Sequence, residues 1–489
     1  MSAARGVSRS ERYEMVVGLE VHVQLATVTK IFCGCSTQFG GVPNANTCPV
    51  CLGLPGALPV LNEQAVRLAI RAALALECTI RRTSVFARKN YFYPDLPKGY
   101  QISQFDEPLA TGGCVTIGTR PDGSRVVVGI TRLHLEEDAG KSIHDRYLGA
   151  TAVDLNRAGV PLVEIVSEPE LRGAAEAEAY LTVLKRMLEY AAVSDVSMER
   201  GSLRVDANIS TRARGEAAFG TKTEIKNLNS FSGVGRALET EFARQCAALD
   251  AGERIEQQTM IWDAANGRVS PARTKEGSHD YRYFADPDLP PLIVTLEWID
   301  EIRGTMPELP DARRTRYRAQ YMQLGDEVIE RLLVSPAIGD YFEQVARQSG
   351  DAKAAANWLT TEVAAALNLA GKSINDFPVP AADLAELIVL VNGGVVSHTA
   401  AKQIFSSMAA TGDSPRRIAE RDGLLRVTDD AQLARWIDDV FASVPDEAGR
   451  YLAGERRLQG VLVGQVMRRS HGSADPKRVN QLLAERLGK

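Results

Sequence analysis

Residues Val17 to Leu25 read Val-Gly-Leu-Glu-Val-His-Val-Gln-Leu, with an apolar side chain at every second position. This alternation predicts a strand with one apolar face, because successive side chains of a strand point to opposite sides of the sheet. The other face carries Gly18, Glu20, His22 and Gln24. A carboxylate and an imidazole two residues apart can hold a divalent cation or pair a base with its orienting group. A solvated face of an edge strand is the alternative.

The composition is that of a large globular protein. A chain of 489 residues can form about three domains of ordinary size. Its 57 basic and 62 acidic residues give a formal net charge of −5, which excludes a polycation, so any nucleic-acid surface must be local. No apolar run is long enough for a bilayer span, and residues 1–14 do not resemble a signal peptide, so we expect a cytoplasmic protein.

Changes in composition divide the chain into three predicted domains. Residues 13–296 combine alternating strands with a few amphipathic helices, which predicts an α+β cradle with a mostly antiparallel sheet and flanking helices. A Pro-rich stretch at 286–291 closes this domain. Residues 297–410 are rich in Ala, Leu and Glu and predict an all-helical connector, and residues 411–489 predict a small helical tail.

Four of the seven cysteines form two close pairs. Cys33-Gly-Cys35 and Cys48-Pro-Val-Cys51 are separated by twelve residues. Two thiol pairs joined by a loop are the arrangement that tetrahedral zinc requires, and four protein ligands leave no open position for water. We therefore predict a structural zinc site in the loop 33–51. Four unligated thiols are the alternative.

Acidic residues in two later segments could join the polar face of the first strand. Residues 132–138 read Arg-Leu-His-Leu-Glu-Glu-Asp, and Glu164 lies within an apolar stretch where an unpaired buried carboxylate would be costly. Strand alternation puts Glu136 on the side of the arginine and the histidine of the first segment, and Glu137 on the opposite side. Alternation alone leaves open which of the two turns inward. Surface ion pairs are the alternative for each acid.

Two further segments suit a nucleotide. Polar residues alternate with apolar ones at Arg204, Asp206, Asn208 and Ser210, and such a polar strand face suits a polyphosphate or a metal-nucleotide complex. Residues 88–100 place aromatic rings beside basic side chains, which suits stacking on a base. A web of surface salt bridges is the alternative. Because no Walker phosphate loop or Rossmann fingerprint occurs, ATP would bind to an open sheet surface through metal ions.

The end of the chain carries a local excess of positive charge. Residues 450–489 contain nine Lys or Arg and three Asp or Glu, an excess of six. Such an excess suits a phosphate backbone, although a solvated helix surface is the alternative. The candidate contacts to such a backbone are Arg456, Arg457, Arg468, Arg469, Lys477 and Arg478.

Long motifs along the chain carry a resemblance to one family. They include Val17-Gly-Leu-Glu-Val-His22, Arg88-Lys-Asn-Tyr-Phe-Tyr-Pro94, Ile130-Thr-Arg-Leu-His-Leu-Glu-Glu-Asp-Ala-Gly-Lys141, Val163-Glu-Ile-Val-Ser-Glu-Pro169, Leu203-Arg-Val-Asp-Ala-Asn-Ile-Ser210, Lys226-Asn-Leu-Asn-Ser-Phe231 and Asp280-Tyr-Arg-Tyr-Phe284. In these motifs the chain resembles the GatB family, the tRNA-binding components of the aspartyl/glutamyl-tRNA amidotransferases. The motifs follow the family's order over nearly all of the first predicted domain.

The resemblance implies a glutamine-synthetase-like cradle, a YqeY-like tail and an ATP-dependent carbon–nitrogen ligase that uses glutamine as nitrogen donor. A protein of this family binds Glu-tRNA(Gln) or Asp-tRNA(Asn), phosphorylates the side-chain carboxylate with ATP, and transfers ammonia from the GatA glutaminase. The implied partners are GatA and GatC in a heterotrimer and the misacylated tRNA, without DNA or a membrane.

The resemblance also implies site residues and cofactors. The family's magnesium site falls on Glu20, His22, Glu137 and Glu164, so the resemblance favours Glu137 over Glu136. The polar faces predict ATP contacts at Lys89, Tyr91, Tyr93, Arg204, Asp206 and Asn208. The expected cofactors are ATP, Mg²⁺ and structural Zn²⁺, the last because all four cysteines are present.

Two other functions compete with this interpretation. A non-enzymatic, zinc-bearing RNA-binding adaptor would need no metal at the acidic residues, so His22→Ala would leave it unaffected. A small-molecule ATP-dependent carboxylate–amine ligase would not need the basic tail, so deletion of residues 411–489 would leave it unaffected. The sequence leaves open whether Glu-tRNA(Gln), Asp-tRNA(Asn) or both are substrates.

Overall fold

The computed structural model describes residues 12–119, 123–272, 281–470 and 472–487. Asp280 of the last motif lies outside the described residues. The chain forms two compact units, Met1–Pro310 and Asp311–Lys489.

The first unit combines strands with four helices among its described residues. Its strands are β1 (Tyr13–Gln24), β2 (Thr79–Ile80), β3 (Thr83–Ser84), β4 (Ala87–Asn90), β5 (Tyr100–Ser103), β6 (Ala110–Thr111), β7 (Cys114–Thr119), β8 (Arg125–Glu137), β9 (Lys141–Tyr147), β10 (Ala150–Asp154), β11 (Pro161–Ser167), β12 (Leu203–Ala213), β13 (Thr223–Leu228), β14 (Thr259–Asp263), β15 (Arg268–Pro271), β16 (Phe284–Ala285) and β17 (Leu292–Ile293). Its helices are α1 (Glu63–Ala75), α2 (Ala174–Tyr190), α3 (Phe231–Asp250) and α4 (Leu296–Gly304).

The largest sheet places β1 near its centre. Within the described residues it has ten strands in the order β15-β14-β13-β12-β1-β11-β8-β6-β2, and β7 pairs with β8 outside this path. β1 is antiparallel to both β11 and β12, whereas β13 and β14 are parallel. The edge-strand alternative for the first strand is therefore wrong. The predicted α+β fold with a mostly antiparallel sheet, followed by helices, is confirmed.

One face of β1 lies in the core of the first unit. Val17, Leu19, Val21 and Val23 are buried together with apolar residues of the three long helices. Burial of such a side chain stabilises the fold by about 1.5–3 kcal/mol. A shift of β1 by one residue would move all four to the opposite face, so the register of β1 is fixed. The opposite face is therefore left with the polar residues of the same strand.

The second unit is helical in its described residues. Its helices are α5 (Pro310–Gln320), α6 (Asp326–Leu332), α7 (Pro336–Ser349), α8 (Ala352–Trp358), α9 (Ala364–Ala370), α10 (Ala381–Asn392), α11 (His398–Thr411), α12 (Pro415–Arg421), α13 (Asp430–Ser443), α14 (Pro445–Leu452), α15 (Gln459–Arg469) and α16 (Pro476–Arg486), with a π-helical turn at Leu359–Val363 and 3₁₀ turns at Ile374–Asp376 and Arg456–Leu458.

The domain limits differ in detail from those expected. The predicted end of the first domain at residue 296 falls at the start of α4, but Ile299 and Ile302 of α4 are buried in the core of the first unit. Two apolar clusters in the second unit involve residues 317–419 and 433–483. The division into connector and tail, and the likeness to glutamine synthetase, stay predictions. None of the described helices has both the length and the apolar character of a bilayer span.

Candidate functional site

The pairing of three strands brings imidazole and carboxylate groups to one face of the sheet. His22 of β1 lies opposite Glu164 of β11 on one side and opposite Arg204 of β12 on the other. Glu164 in turn lies opposite His134 of β8. Because residues paired across antiparallel strands share a face, the register places their side chains side by side.

The central group consists of His22, Glu136 and Glu164. His22 Nε2 lies 3.4 Å from Glu164 Oε2 and 3.7 Å from Glu136 Oε1. One ligand atom from each of the three residues lies within 4.8 Å of the others, and both carboxylates are buried. Two buried carboxylates require a compensating charge. An imidazole and two carboxylates that converge in this way can hold a divalent cation.

Glu136, rather than Glu137, joins this group. Glu137 turns to the opposite side of β8, where it forms an ion pair with Lys98 and accepts a hydrogen bond from the backbone N of Ile102 at 2.8 Å. The structure thus places Glu136 where the resemblance implied Glu137, and the ligand set itself stays a prediction. The physical reason is the two-residue period of the strand, which puts Glu136 on the face of His134 and Glu164.

Glu20 lies beside the group of His22, Glu136 and Glu164, but its carboxylate has another hydrogen-bond partner. Its Oε1 accepts a hydrogen bond from Asn208 Nδ2 at 2.9 Å. Burial and the negative charge of Glu164 raise the pKa of Glu20. A cavity of about 290 Å³ opens beside it, and Gly18 and Lys222 also line this cavity. Glu20 therefore borders both the acidic group and an open space.

His134 is a second imidazole of the group, and it was missing from the predicted site. Its Nε2 lies 3.4 Å from Glu164 Oε2 and 3.9 Å from Glu136 Oε2. Burial alone would lower the pKa of His134, but the charges and hydrogen bonds of the two glutamates raise it to about 9. The alternation of residues 132–138 could have identified it, since it places His134 on the side of Glu136.

The predicted residues of β12 are held in ion pairs and hydrogen bonds. Arg204 lies 2.8 Å from the buried Asp138, and Asp206 lies 2.9 Å from Lys226 of β13. Burial opposes the charged form of Lys226, but Asp206 and Glu224 raise its pKa. Arg204, Asp206 and Asn208 are therefore each held by a charged partner, and Asn208 contacts Glu20 beside the acidic group.

The predicted aromatic segment lies next to the acidic group. The Nζ of Lys89 lies 4.9 Å from the ring centre of Tyr281 and 6.0 Å from that of Tyr91. Burial opposes the charge of Lys89, but Glu136, Tyr283 and Glu164 raise its pKa. Tyr93, which is 53% exposed, lies edge-on to Tyr91 with ring centres 6.4 Å apart.

Two further rings come from a distant part of the sequence. Tyr281 contacts Tyr91 at 6.0 Å, and Tyr283 stacks on Phe105 with ring centres 4.0 Å apart. Part-exposed rings of this kind offer faces for a planar base. Tyr281 and Tyr283 belong to one of the quoted motifs, but nothing in the sequence pattern indicates that residue 281 lies close to residue 91.

The four cysteines of the predicted zinc loop converge. The sulfur atoms of these residues all lie within 4.8 Å of one another; they belong to Cys33, Cys35, Cys48 and Cys51. The sulfurs of Cys48 and Cys51 are 3.8 Å apart, and the backbone N of Cys48 donates a hydrogen bond to the sulfur of Cys51 at 3.1 Å. This cluster can bind a metal, and its four sulfur donors suit a tetrahedral one.

The six candidate nucleic-acid contacts at the end of the chain fall into two groups. Three of them form ion pairs: Arg457 with Glu455, Arg469 with Asp439 at 2.9 Å, and Arg478 with Asp430 at 2.5 Å. The other three are exposed and have no ion pair within the described part of the chain; they are Arg456, Arg468 and Lys477.

Comparison with known proteins gives the family. A family model described as GatB/GatE catalytic domain matches residues 15–300, and a second, described as GatB domain, matches residues 340–487. The chain belongs to the GatB family. The family predicted from the motifs is therefore confirmed.

Relatives match the GatB chain over nearly its whole length. It is 48% identical over 480 residues to the B subunit of the aspartyl/glutamyl-tRNA(Asn/Gln) amidotransferase of Carboxydothermus hydrogenoformans, covering 98% of this chain and 99% of the relative. Proteins of the same name from Moorella thermoacetica and from Caldanaerobacter subterraneus subsp. tengcongensis are 49% and 50% identical over 478 residues, with all of each relative covered.

The two family matches cover different candidate sites of this GatB chain. The acidic group, the network on β12, the aromatic rings and the cysteine cluster all lie within the match to the catalytic domain. The basic residues from Arg456 to Arg478 lie within the match to the GatB domain. The site chemistry and the candidate nucleic-acid contacts therefore belong to separate parts of the chain.

Proposed function

We propose that this GatB chain is the component of a glutamine-dependent tRNA amidotransferase that phosphorylates the side-chain carboxylate of Glu-tRNA(Gln), Asp-tRNA(Asn) or both. It acts in a complex with GatA and GatC, and its tRNA substrates place it in the cytoplasm. The observation that carries this proposal is the buried group of His22, Glu136 and Glu164 beside a face rich in cations and aromatic rings.

The acidic group would hold Mg²⁺. The fit rests on the donor set, in which His22, Glu136 and Glu164 converge and two buried carboxylates call for a positive charge, with Glu20 at their edge. When bound, Mg²⁺ neutralises charge on the phosphate oxygens of ATP. Glu137 does not belong to the proposed ligand set, and its ion pair with Lys98 instead fixes the end of β8.

The protein's own cations would bring together two reactants that repel each other. The substrate carboxylate and the triphosphate are both negative. Lys89 and Arg204 lie close enough to Glu136 for its charge to raise their pKa, and Lys226 lies beside Asp206 of the polar strand, so these cations would supply positive charge near the site. A carboxylate oxygen forms a bond to the terminal phosphorus, and the bond from that phosphorus to the bridging oxygen of ADP breaks. Ammonia then attacks the carbonyl carbon, loses a proton and displaces phosphate.

The adenine base would stack on the aromatic rings. The proposed ATP contacts are Lys89, Tyr91, Tyr93, Arg204, Asp206 and Asn208, and we add Tyr281 and Tyr283. The support is the position of Lys89 between rings Tyr91 and Tyr281, close enough to Glu136 for that charge to raise its pKa. A base bound here would leave its phosphates near the proposed cation.

Two further assignments complete the proposal. The cysteine cluster would hold a structural Zn²⁺ that fixes the loop after β1. The exposed residues Arg456, Arg468 and Lys477 would bind the tRNA backbone, because their charges are not neutralised by neighbouring acids among the described residues.

The experiment that tests the proposal is His22→Ala in the reconstituted complex. We expect the variant to fold and to bind Glu-tRNA(Gln) with unchanged affinity, but to lose ATP-dependent phosphorylation of the carboxylate. The measurements are filter binding of charged tRNA and release of phosphate that depends on that tRNA. Unchanged phosphate release would overturn the metal assignment and favour a site elsewhere.

A further inference from the structure

Lys30 is a fully buried lysine beside the cysteine cluster. Its exposed fraction is 0%, and its Nζ donates to the backbone oxygens of Asn46 at 2.7 Å and Leu155 at 3.3 Å. It has no ion pair with a carboxylate in the described parts of the chain. Carbonyl dipoles alone compensate a buried ammonium poorly, so this charge calls for a negative partner.

The surroundings of Lys30 point to the cysteine cluster as that partner. The backbone N of Lys30 donates to the oxygen of Cys35 at 2.9 Å, and Asn46 lies in the loop between the two cysteine pairs. A Cβ on Gly159 would lie 3.5 Å from Lys30 Cδ, 3.6 Å from Cys51 Cβ and 3.9 Å from Glu137 Oε2, so the lysine stem and Cys51 border the same point. Lys30 also lines one cavity with Cys33 and Cys48, and it therefore lies beside both cysteine pairs.

A second lysine near the loop provides a contrast. Lys98 packs against Gly53 just after the second cysteine pair, where a glycine Cβ would meet Lys98 Cγ at 2.5 Å. Its ammonium is already paired with Glu137. The charge of Lys98 is therefore neutralised by a carboxylate, whereas that of Lys30 is not.

We propose that Lys30 is the charge-compensating residue of the cysteine cluster. Four thiolates around a divalent zinc ion leave a net charge of about −2 in a partly buried site. The buried ammonium of Lys30 offsets part of that charge and so favours the zinc-bound tetrathiolate, as outer groups of metal sites commonly do. This inference rests on the zinc assignment made above.

The test compares three full-length variants, Lys30→Met, Lys30→Arg and Lys98→Met. Zinc per chain and the rate of zinc loss to a chelator are measured with a colorimetric zinc indicator. We expect Lys30→Met to bind zinc about 10–100-fold more weakly than the parent. Lys30→Arg, which keeps the charge, should retain zinc better than Lys30→Met. Lys98→Met breaks the ion pair with Glu137 and should be less stable, but where it is folded it should retain zinc as the parent does.

Thermal unfolding with and without zinc separates charge compensation from ordinary packing. In the zinc-loaded protein Lys30→Met should be less stable than the parent. In the chelated protein it should be equally or more stable, because it removes a buried charge without a partner. Loss of stability in both forms, or equal zinc retention by Lys30→Met and Lys98→Met, would overturn the proposal. A parent protein without zinc would instead refute the zinc assignment.

Discussion

At the scale of single residues, Glu136 and Glu137 show how a strand gives neighbours different roles. Glu136 lies near the imidazole of His22 on β1 and that of His134 on its own strand, whereas Glu137 pairs with Lys98 on the other side. Both carboxylates are nearly inaccessible to solvent. The difference between them therefore comes from their partners.

We predict opposite phenotypes for two matched substitutions. Glu136→Gln should lower tRNA-dependent phosphate release by about 10²–10³-fold, because a charge that positions the cation is removed. Glu137→Gln should lower the free energy of unfolding by about 3–5 kcal/mol, because Lys98 is left buried without a partner. The measurements are single-turnover kinetics and urea denaturation of each variant.

Each variant is the control for the other. A Glu136→Gln protein should unfold at nearly the urea concentration of the parent, and Glu137→Gln should keep measurable phosphate release under conditions where it is folded. If Glu137→Gln lost phosphorylation while Glu136→Gln kept it, the ligand set implied by the resemblance would be right and the assignment of Glu136 wrong.

The sequence predicted part of this residue-level picture. Period-two alternation put Glu136 beside His134, and this is where the structure has it. The resemblance implied Glu137 instead, and that assignment stays a prediction. Tyr281 and Tyr283 escaped prediction as ring partners, because their proximity to Tyr91 depends on the fold of the whole unit.

At the scale of elements, acidic residues of helix α13 neutralise several positive charges at the end of the chain. A count over residues 450–489 gave an excess of six positive charges, but α13 lies before this stretch. Its acids Asp430, Asp438 and Asp439 pair with arginines of α15 and α16. The sequence predicted the helices but not this pairing, because the partners are roughly 30–50 residues apart.

We predict that only the unpaired cations contribute strongly to tRNA affinity. Replacing Arg456, Arg468 and Lys477 by Gln should weaken binding and lower the slope of log affinity against log salt by about 0.7–0.9 for each phosphate that is no longer neutralised. Replacing Arg469 and Arg478 by Gln should change that slope less. The measurement is filter binding of tRNA over a range of salt concentrations.

The paired arginines serve as the matched control for this prediction. Arg469 and Arg478 lie on the same helices as Arg468 and Lys477 and carry the same charge, so the change of slope per replaced residue isolates the effect of the ion pairs. An equal decrease of slope for both sets would mean that tRNA displaces the acids of α13. An unchanged slope for both would remove the tail from the proposed tRNA surface.

At the scale of the whole molecule, the two compact units separate the two kinds of chemistry. The first unit carries the acidic group and the cysteine cluster, and the second carries the exposed cations at the end of the chain. Changes in composition predicted domains at 13–296, 297–410 and 411–489, and these limits stay a prediction. Composition does not show that Ile299 and Ile302 of α4 pack in the core of the first unit, because α4 has the composition of the helical part.

The central claim is that the first unit transfers the terminal phosphate of ATP to the side-chain carboxylate of the misacylated tRNA. The measurement that tests it most directly uses charged tRNA whose side-chain carboxylate is labelled with heavy oxygen, in the reconstituted complex with ATP and glutamine. We expect one labelled oxygen in the phosphate released for each amide formed, because that phosphate keeps the attacking carboxylate oxygen. Amide formation with release of unlabelled phosphate would contradict it.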